Sequence, residues 1–170
     1  MRNSVALILS IFLNGSWAQD TGPLVHEAVI DASLETVWNS WTTTEGLKSW
    51  LAPHAEIDFR IGGKMRANYD VNGDLDDPST IENTVLAFDP NRMITIRVSK
   101  APDDFPFANA IYDMWTILYF EAIAPNQTQV RVVSNGFSAD EESQNMRMFF
   151  SQGNAVTLQQ LQAGLASASP

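Results

Sequence analysis

The stretch A-S-L-E-T-V-W-N-S-W-T-T-T-E-G-L-K-S-W-L, residues 32–51, contains two short amphipathic segments in succession. The first has apolar residues at helical spacing and predicts a helix from Ser33 to Trp41, capped by Asp31 or Ser33. The second predicts a helix that starts at the threonine cluster 42–44 and ends before Pro53. The apolar positions of the two segments are Leu34, Val37, Trp38 and Trp41, then Leu47, Trp50 and Leu51.

On both sides of this stretch, apolar and polar residues alternate as they do in β-strands. Residues 55–69 predict a hairpin that turns at Gly62-Gly63, with Ile57, Phe59 and Ile61 before the turn and Met65, Ala67 and Tyr69 after it. Pro, Asn and Gly breakers separate further predicted strands at about residues 24–30, 80–88, 93–99, 112–123 and 128–134.

The period returns to 3.6 after Asn135-Gly136, which predicts one long helix at about residues 139–166. Its stripe consists of Met146, Phe149, Phe150, Gly153, Thr157, Leu158, Leu161 and Leu165. Two small helices in a strand-rich chain, followed by one long helix, are typical of an α+β fold.

These elements resemble the SRPBCC or START-like superfamily, and in particular its branch named after the activator of Hsp90 ATPase homologue 1. The resemblance covers nearly all of residues 19–170 and is carried by Ala32-Ser33, Val37-Trp38, Trp41-Thr42, Glu45-Gly46-Leu47, Trp50, Gly62-Gly63 and Asn135-Gly136-Phe137. It implies a helix-grip (START/Bet v 1-like) fold, in which a curved antiparallel sheet wraps around the long C-terminal helix. The chain departs from the pattern at Gly153-Asn154, where the family often has a Gly-Trp pair.

The resemblance also implies a pocket for a small hydrophobic molecule between sheet and helix. The binding hypothesis requires an enclosed apolar volume of roughly 300 Å³ or more. The candidate ligand-binding residues are Phe59, Met65, Tyr69, Trp115, Leu118, Phe120, Met146, Phe149, Phe150 and Gly153. Ordinary core packing is the alternative for each side chain. At Gly153 the alternatives are room for a ligand and close contact between helix and sheet.

Polar groups could orient such a ligand, and the candidates are Tyr69, Tyr112, Trp115 and Ser134. The loop K-A-P-D-D-F-P-F-A-N-A, residues 100–110, carries two aromatic residues. Phe105 and Phe107 either form a lid over the cavity mouth or pin a surface loop.

Catalytic residues, cofactors and metals are not predicted. Asp58 and Glu121 alternate with inward-facing Phe residues and so should point to solvent, and neither His26 nor His54 has a metal-ligand spacing. Glu82 also lies in a strand. The acidic run of Asp70, Asn72, Asp74, Asp76 and Asp77 resembles the start of a calcium loop, but Ile81 occupies the position of the required Glu. A solvated turn is expected there.

The N-terminus predicts a secretory signal peptide over residues 1–18, because Arg2 precedes the apolar run 5–13 and Ser16-Trp17-Ala18 has cleavage-type spacing. Cleavage would leave an exported protein, secreted or periplasmic, that begins at Gln19. Retention as an anchor is the alternative, although a run of nine residues is far shorter than the roughly 20 that span a bilayer.

The 170 residues carry a formal charge of −10 and no cysteine. An acidic surface disfavours nucleic acid and anionic lipid as partners. The family name suggests a co-chaperone, but an exported protein does not meet a cytosolic chaperone. A protein-interaction module, docking through an open sheet edge or through Trp38 and Trp41, and a cyclase or hydrolase that uses the same pocket remain alternatives. The chain is expected to be a monomer or a homodimer.

Overall fold

The computed structural model describes residues 19–167, so the predicted signal peptide lies outside the described residues. The strands are β1 (Leu24–Ile30), β2 (His54–Ile57), β3 (Lys64–Asn68), β4 (Ile81–Asp89), β5 (Met93–Lys100), β6 (Trp115–Ala124) and β7 (Gln127–Asn135). The α-helices are α1 (Leu34–Thr42), α2 (Thr44–Trp50) and α3 (Glu141–Ser167), and a 3₁₀ turn spans Ala110–Asp113.

The strands form one antiparallel sheet in the order β1-β7-β6-β5-β4-β3-β2. The sheet curls around α3, which confirms the predicted α+β helix-grip fold. β1 pairs with β7 along its whole length, from Leu24 opposite Ser134 to Ile30 opposite Thr128. Among residues 19–167, no helix is both long and apolar enough to span a membrane.

Side-chain hydroxyls define where α1 and α2 begin. Ser33 Oγ accepts a hydrogen bond from the Thr36 amide at 3.2 Å, and Thr43 Oγ1 accepts one from the Gly46 amide at 3.0 Å. Each bond satisfies an amide that has no partner within its own helix. The two caps therefore divide residues 32–51 into two helices, as the sequence predicts.

The predicted docking surface of Trp38 and Trp41 is wrong, because both side chains are buried in the main core. The Trp41 ring packs edge-on against Trp50 with centroids 4.6 Å apart, and Trp50 Nε1 donates to the Ser40 carbonyl at 3.0 Å. The apolar faces of α1 and α2 thus hold the helices against the sheet and each other.

The hairpin between β2 and β3 differs from the prediction. β2 ends at Ile57, and Gly62-Gly63 pairs with Val85 of β4 through two backbone hydrogen bonds of 2.8 and 2.9 Å. Phe59 and Ile61 therefore lie in a loop, where Ile61 is exposed and Phe59 turns inward. The alternation of residues 57–61 is real, but pairing with β4 interrupts the strand.

Gly136 connects β7 to the segment before α3. Its φ is +90°, and a Cβ at this position would lie 2.1 Å from the Asp113 carbonyl oxygen. Only glycine fits this combination of backbone angle and close approach. From there α3 crosses the inner face of the sheet and buries Met146, Leu158, Leu161 and Leu165.

Candidate functional site

A cavity of about 150 Å³ lies between the inner face of the sheet and α3. This is half of the roughly 300 Å³ that we set as the requirement of the binding hypothesis. A space of about this size is enough for a single benzene-sized ring. The lining residues are Trp41, Leu51, Met65, Ala67, Tyr69, Ile81, Asn83, Ile96, Val98, Met114, Thr116, Leu118, Val132, Phe150, Asn154 and Thr157.

Four of the predicted site residues line this cavity: Met65, Tyr69, Leu118 and Phe150. Strand alternation explains Met65 and Leu118, whose side chains face α3. Phe150 reaches the cavity from the helix side. The structure brings these side chains together, and their contact with a ligand stays a prediction.

Gly153 lies on the helix between Phe150 and Thr157, which both line the cavity. A Cβ at this position would meet no atom within 4 Å. Close contact between helix and sheet is therefore not the reason for a glycine here. Gly153 itself is not among the residues that line the cavity, so room for a ligand at this position stays a prediction.

Phe59 and Phe120 pack elsewhere in the core. Their rings meet the Trp38 ring edge-on, with centroids 5.7 and 5.6 Å away, and Phe59 also contacts Phe88 at 4.7 Å. The two contacts of Trp38 have the edge-to-face geometry that aromatic rings favour, and the Phe59 and Phe88 rings are tilted by 36°. Neither Phe59 nor Phe120 lies among the residues that line the cavity.

Phe149 belongs to a second aromatic cluster, with Phe105, Phe107 and Phe150. Successive centroids in this cluster are 5.3 to 5.8 Å apart. Met146 is fully buried beside it. The loop of residues 100–110 is thus pinned to α3, and Phe150 connects the pinned loop to the cavity wall.

Trp115 lies on the outer face of the sheet, where 40% of its surface is exposed. It stands three positions before Leu118, so strand alternation directs the two side chains to opposite faces. Tyr112 is also remote from the cavity, and its hydroxyl accepts a hydrogen bond from the Ala101 amide at 3.4 Å. The geometry gives neither residue a place in the cavity wall.

Three polar residues that the sequence did not single out line the cavity: Asn83, Thr116 and Asn154. Asn154 Nδ2 donates to Ser134 Oγ at 3.1 Å, and Ser134 Oγ lies 3.3 Å from Thr116 Oγ1. Ser134, a predicted polar candidate, is fully buried behind the two residues that it connects. Two signals in the sequence could have identified Thr116 and Asn154. Thr116 lies two positions before Leu118 and so on the same face of the strand, and Asn154 lies one helical turn after Phe150.

Tyr69 is the titratable residue among those that line the cavity. It keeps 59% of its surface exposed, which places it at the mouth, and partial desolvation of its hydroxyl raises the pKa above the ordinary tyrosine value. The hydroxyl therefore stays protonated at neutral pH and offers hydrogen bonding rather than a base.

The candidate carboxylates lie outside the cavity. Asp58 pairs with Arg60 at 2.7 Å on the surface, Glu121 is exposed, and Glu82 pairs with Lys64 at 2.9 Å. The hydrogen bond from Lys64 lowers the pKa of Glu82. No ionised side chain from the described residues 19–167 lines the cavity, which therefore suits an uncharged occupant.

The acidic run of residues 70–77 uses its carboxylates on its own backbone. Asp70 accepts from the Asn72 amide at 2.9 Å, and Asp77 accepts from the Asp74 amide at 2.7 Å. The side chain of buried Asn68 holds the turn, because its Nδ2 donates to the Asp74 backbone carbonyl at 2.6 Å. Among residues 19–167, no three His, Cys, Asp or Glu side chains are grouped to hold a metal ion.

The family model described as Activator of Hsp90 ATPase homolog 1-like protein matches residues 31–166. No curated protein matches the chain. The fold is similar to the solution structure of the Aha1 dimer from Colwellia psychrerythraea, with a TM-score of 0.63 and 19% identity over 82% of this chain and 92% of that one.

Two crystal structures are similar to the same extent. One is a Mesorhizobium loti protein, with a TM-score of 0.65, 19% identity, and coverage of 87% of this chain and 99% of that one. The other is a Mycobacterium smegmatis protein, with a TM-score of 0.65, 21% identity, and coverage of 89% and 95%. At this identity the likeness concerns the fold alone.

Proposed function

Because the chain belongs to the family of Activator of Hsp90 ATPase homolog 1-like proteins, we propose that it binds a small, largely apolar molecule between its sheet and α3. The observation that carries this proposal is the cavity of about 150 Å³, lined mostly by apolar side chains and by a few polar ones. Apolar walls with a few placed polar groups are the common design of small-molecule sites.

The size of the cavity sets the strength of binding. A ring-sized ligand that buries on the order of 150 Å² of apolar surface gains roughly 4 kcal/mol before the costs of association. Hydrophobic burial alone therefore supports binding no tighter than the millimolar range. Tighter binding requires hydrogen bonds from the polar part of the wall.

The protein would work outside the cytoplasm, and the support for this part of the proposal is the leader-like composition of residues 1–18. The mass of the protein recovered from its producing cells tests it. Cleavage after Ala18 gives a chain that begins at Gln19, whereas an intact leader would contradict export by cleavage.

The binding proposal is tested by NMR titration of the full chain with toluene. Trp41 lines the cavity and Trp115 lies on the outer face, so the indole N–H signal of Trp41 should shift and saturate while that of Trp115 stays in place. Equal shifts at both indoles, or no shift at Trp41, would contradict the proposal.

A matched pair of substitutions sharpens this titration. Ala67 is buried in the cavity wall and Ala163 is exposed on α3, so Ala67→Leu fills the cavity whereas Ala163→Leu adds the same carbons in solvent. We expect toluene affinity to fall at least ten-fold in Ala67→Leu and to be unchanged in Ala163→Leu. Thermal unfolding curves establish that both variants fold.

A second candidate function is self-association through the outer face of the sheet. Val25, Val133, Ile117 and Thr95 form a cross-strand row there, and Val25 and Val29 are 47% and 43% exposed. The related Colwellia psychrerythraea structure is described as a dimer. The occupant that this face would take is a second copy of the chain.

A further inference from the structure

We infer that the ligand of the cavity is an uncharged molecule of single-ring size that carries one hydrogen-bonding oxygen, held by Thr116 and Asn154. This inference rests on the proposed binding function and specifies its ligand. Three features of the cavity support it: its volume, its lack of ionised groups, and the directions of the hydrogen bonds around Ser134.

The hydrogen bonds around Ser134 leave one hydroxyl proton directed to the cavity. Ser134 is fully buried and already accepts from Asn154 Nδ2 at 3.1 Å. If it also accepted from Thr116, its own proton would be buried without a partner, at a cost of about 1–3 kcal/mol. Ser134 therefore donates to Thr116 Oγ1 across 3.3 Å, and the Thr116 proton remains for a group in the cavity.

Asn154 supplies an acceptor beside this donor. Its Nδ2 is engaged with Ser134, which leaves the carbonyl oxygen Oδ1 and the second amide proton for the cavity. Thr116 and Asn154 are joined through the same Ser134 oxygen, so both are held in position before a ligand arrives. A ligand carbonyl can accept from this pair, and a ligand hydroxyl can both donate and accept.

Within residues 19–167, the wall has no oppositely charged partner for a charged ligand. None of the lining residues in the described part of the chain is a Lys, Arg, His, Asp or Glu. Burial of an unpaired carboxylate or ammonium costs several kcal/mol, more than a ring-sized apolar surface supplies. An alcohol or a ketone has no such cost, and the volume of about 150 Å³ limits it to about one ring.

Acetophenone, cumene and benzoate test the inference, because they share a phenyl ring and a heavy-atom count and differ in the polar end. We expect the full chain to bind acetophenone about five-fold more tightly than cumene, the effect of one net hydrogen bond. Benzoate should bind more weakly than cumene. Saturable shifts of the Trp41 indole N–H report each affinity.

Two substitutions test which residues cause the preference for acetophenone over cumene. Thr116→Val keeps the shape and removes the hydroxyl, and Asn154→Leu keeps the approximate volume and removes the amide. Each should reduce the acetophenone preference to within two-fold of cumene while cumene binding persists. Thr95→Val removes a hydroxyl from the outer face and should leave the preference unchanged.

The outcomes separate this inference from the binding proposal. Cumene affinity equal to that of acetophenone, tighter binding of benzoate, or a preference that survives both substitutions would overturn the inference and leave the cavity as a binding site. If none of the three compounds binds, the proposed function fails and the inference fails with it.

Discussion

At the scale of single residues, two glycines in α3 have opposite surroundings. At Gly153 a Cβ would meet nothing within 4 Å, whereas at Gly164 it would lie 2.5 Å from Trp50 Cβ. Glycine inside a helix costs about 1 kcal/mol relative to alanine. Gly164 offsets this cost because it lets α3 approach α2 closely. At Gly153 no close contact of this kind offsets the cost.

We therefore predict that Gly153→Ala stabilises the protein by up to about 1 kcal/mol and raises its melting temperature by a few degrees. Gly164→Ala should lower the melting temperature, because the added methyl group forces Trp50 away from the helix. Thermal unfolding followed by circular dichroism measures both. Equal destabilisation by the two substitutions would show that Gly153 also has a packing role.

The sequence could predict part of the cavity wall but not its polar part. Met65, Tyr69, Leu118 and Phe150 follow from periodicity combined with the helix-grip resemblance. Trp115 was predicted as a ligand-binding residue as well, yet alternation from Leu118 already directs its side chain to the outer face, where the structure has it. Asn154 stood out only as a departure from the family pattern, because its role depends on a hydrogen bond to a residue twenty positions away in the chain.

At the scale of elements, the loop between β5 and β6 is held by α3. Glu142 accepts hydrogen bonds from the Asn109 and Ala110 amides at 2.9 and 3.2 Å. These two backbone bonds, and a weaker one from the Asn109 side chain, lower the pKa of Glu142. The loop contact is therefore complete above the ordinary glutamate pKa of about 4.3 and is lost as the pH falls through the lower value in the folded protein.

We predict that the amide proton signals of Asn109 and Ala110 shift together between pH 7 and pH 3, with a midpoint below the ordinary glutamate value. Asp140 lies nearby and also has a lowered pKa, chiefly through a hydrogen bond from Ser138. The variant Glu142→Gln separates the two groups and should abolish the shift at Asn109 and Ala110. If the shift persists in Glu142→Gln, Asp140 rather than Glu142 controls the loop.

Periodicity predicted most of the elements because each is determined by local spacing. β1 and the long helix agree with the prediction to within about two residues. The loop of residues 58–63 could not be predicted in this way. Its form depends on hydrogen bonds between Gly62-Gly63 and Val85, which are far apart in the sequence. The alternating pattern continues past the end of β2 and therefore does not show where the strand ends.

At the scale of the whole molecule, the sheet has one face that is covered and one that is not. The inner face meets α1, α2 and α3, while the outer face presents the apolar row that begins at Val25. Beside this row, Arg131 lies 3.9 Å from Glu27 and 4.6 Å from the Tyr119 ring. An apolar strip with a polar margin resembles the composition of protein interfaces.

The formal charge of −10 opposes the meeting of two copies, so the proposed self-association should respond to salt as well as to concentration. We predict that sedimentation velocity detects a dimer whose fraction rises with protein concentration and with ionic strength. Val25→Glu should shift the equilibrium to monomer by placing a carboxylate in the apolar row. Val71→Glu adds the same charge to the exposed acidic turn and should leave a larger dimer fraction than Val25→Glu does. A sedimentation coefficient that stays monomeric at every concentration, or equal effects of the two substitutions, would remove the outer face as an interface and leave the cavity as the functional site of the chain.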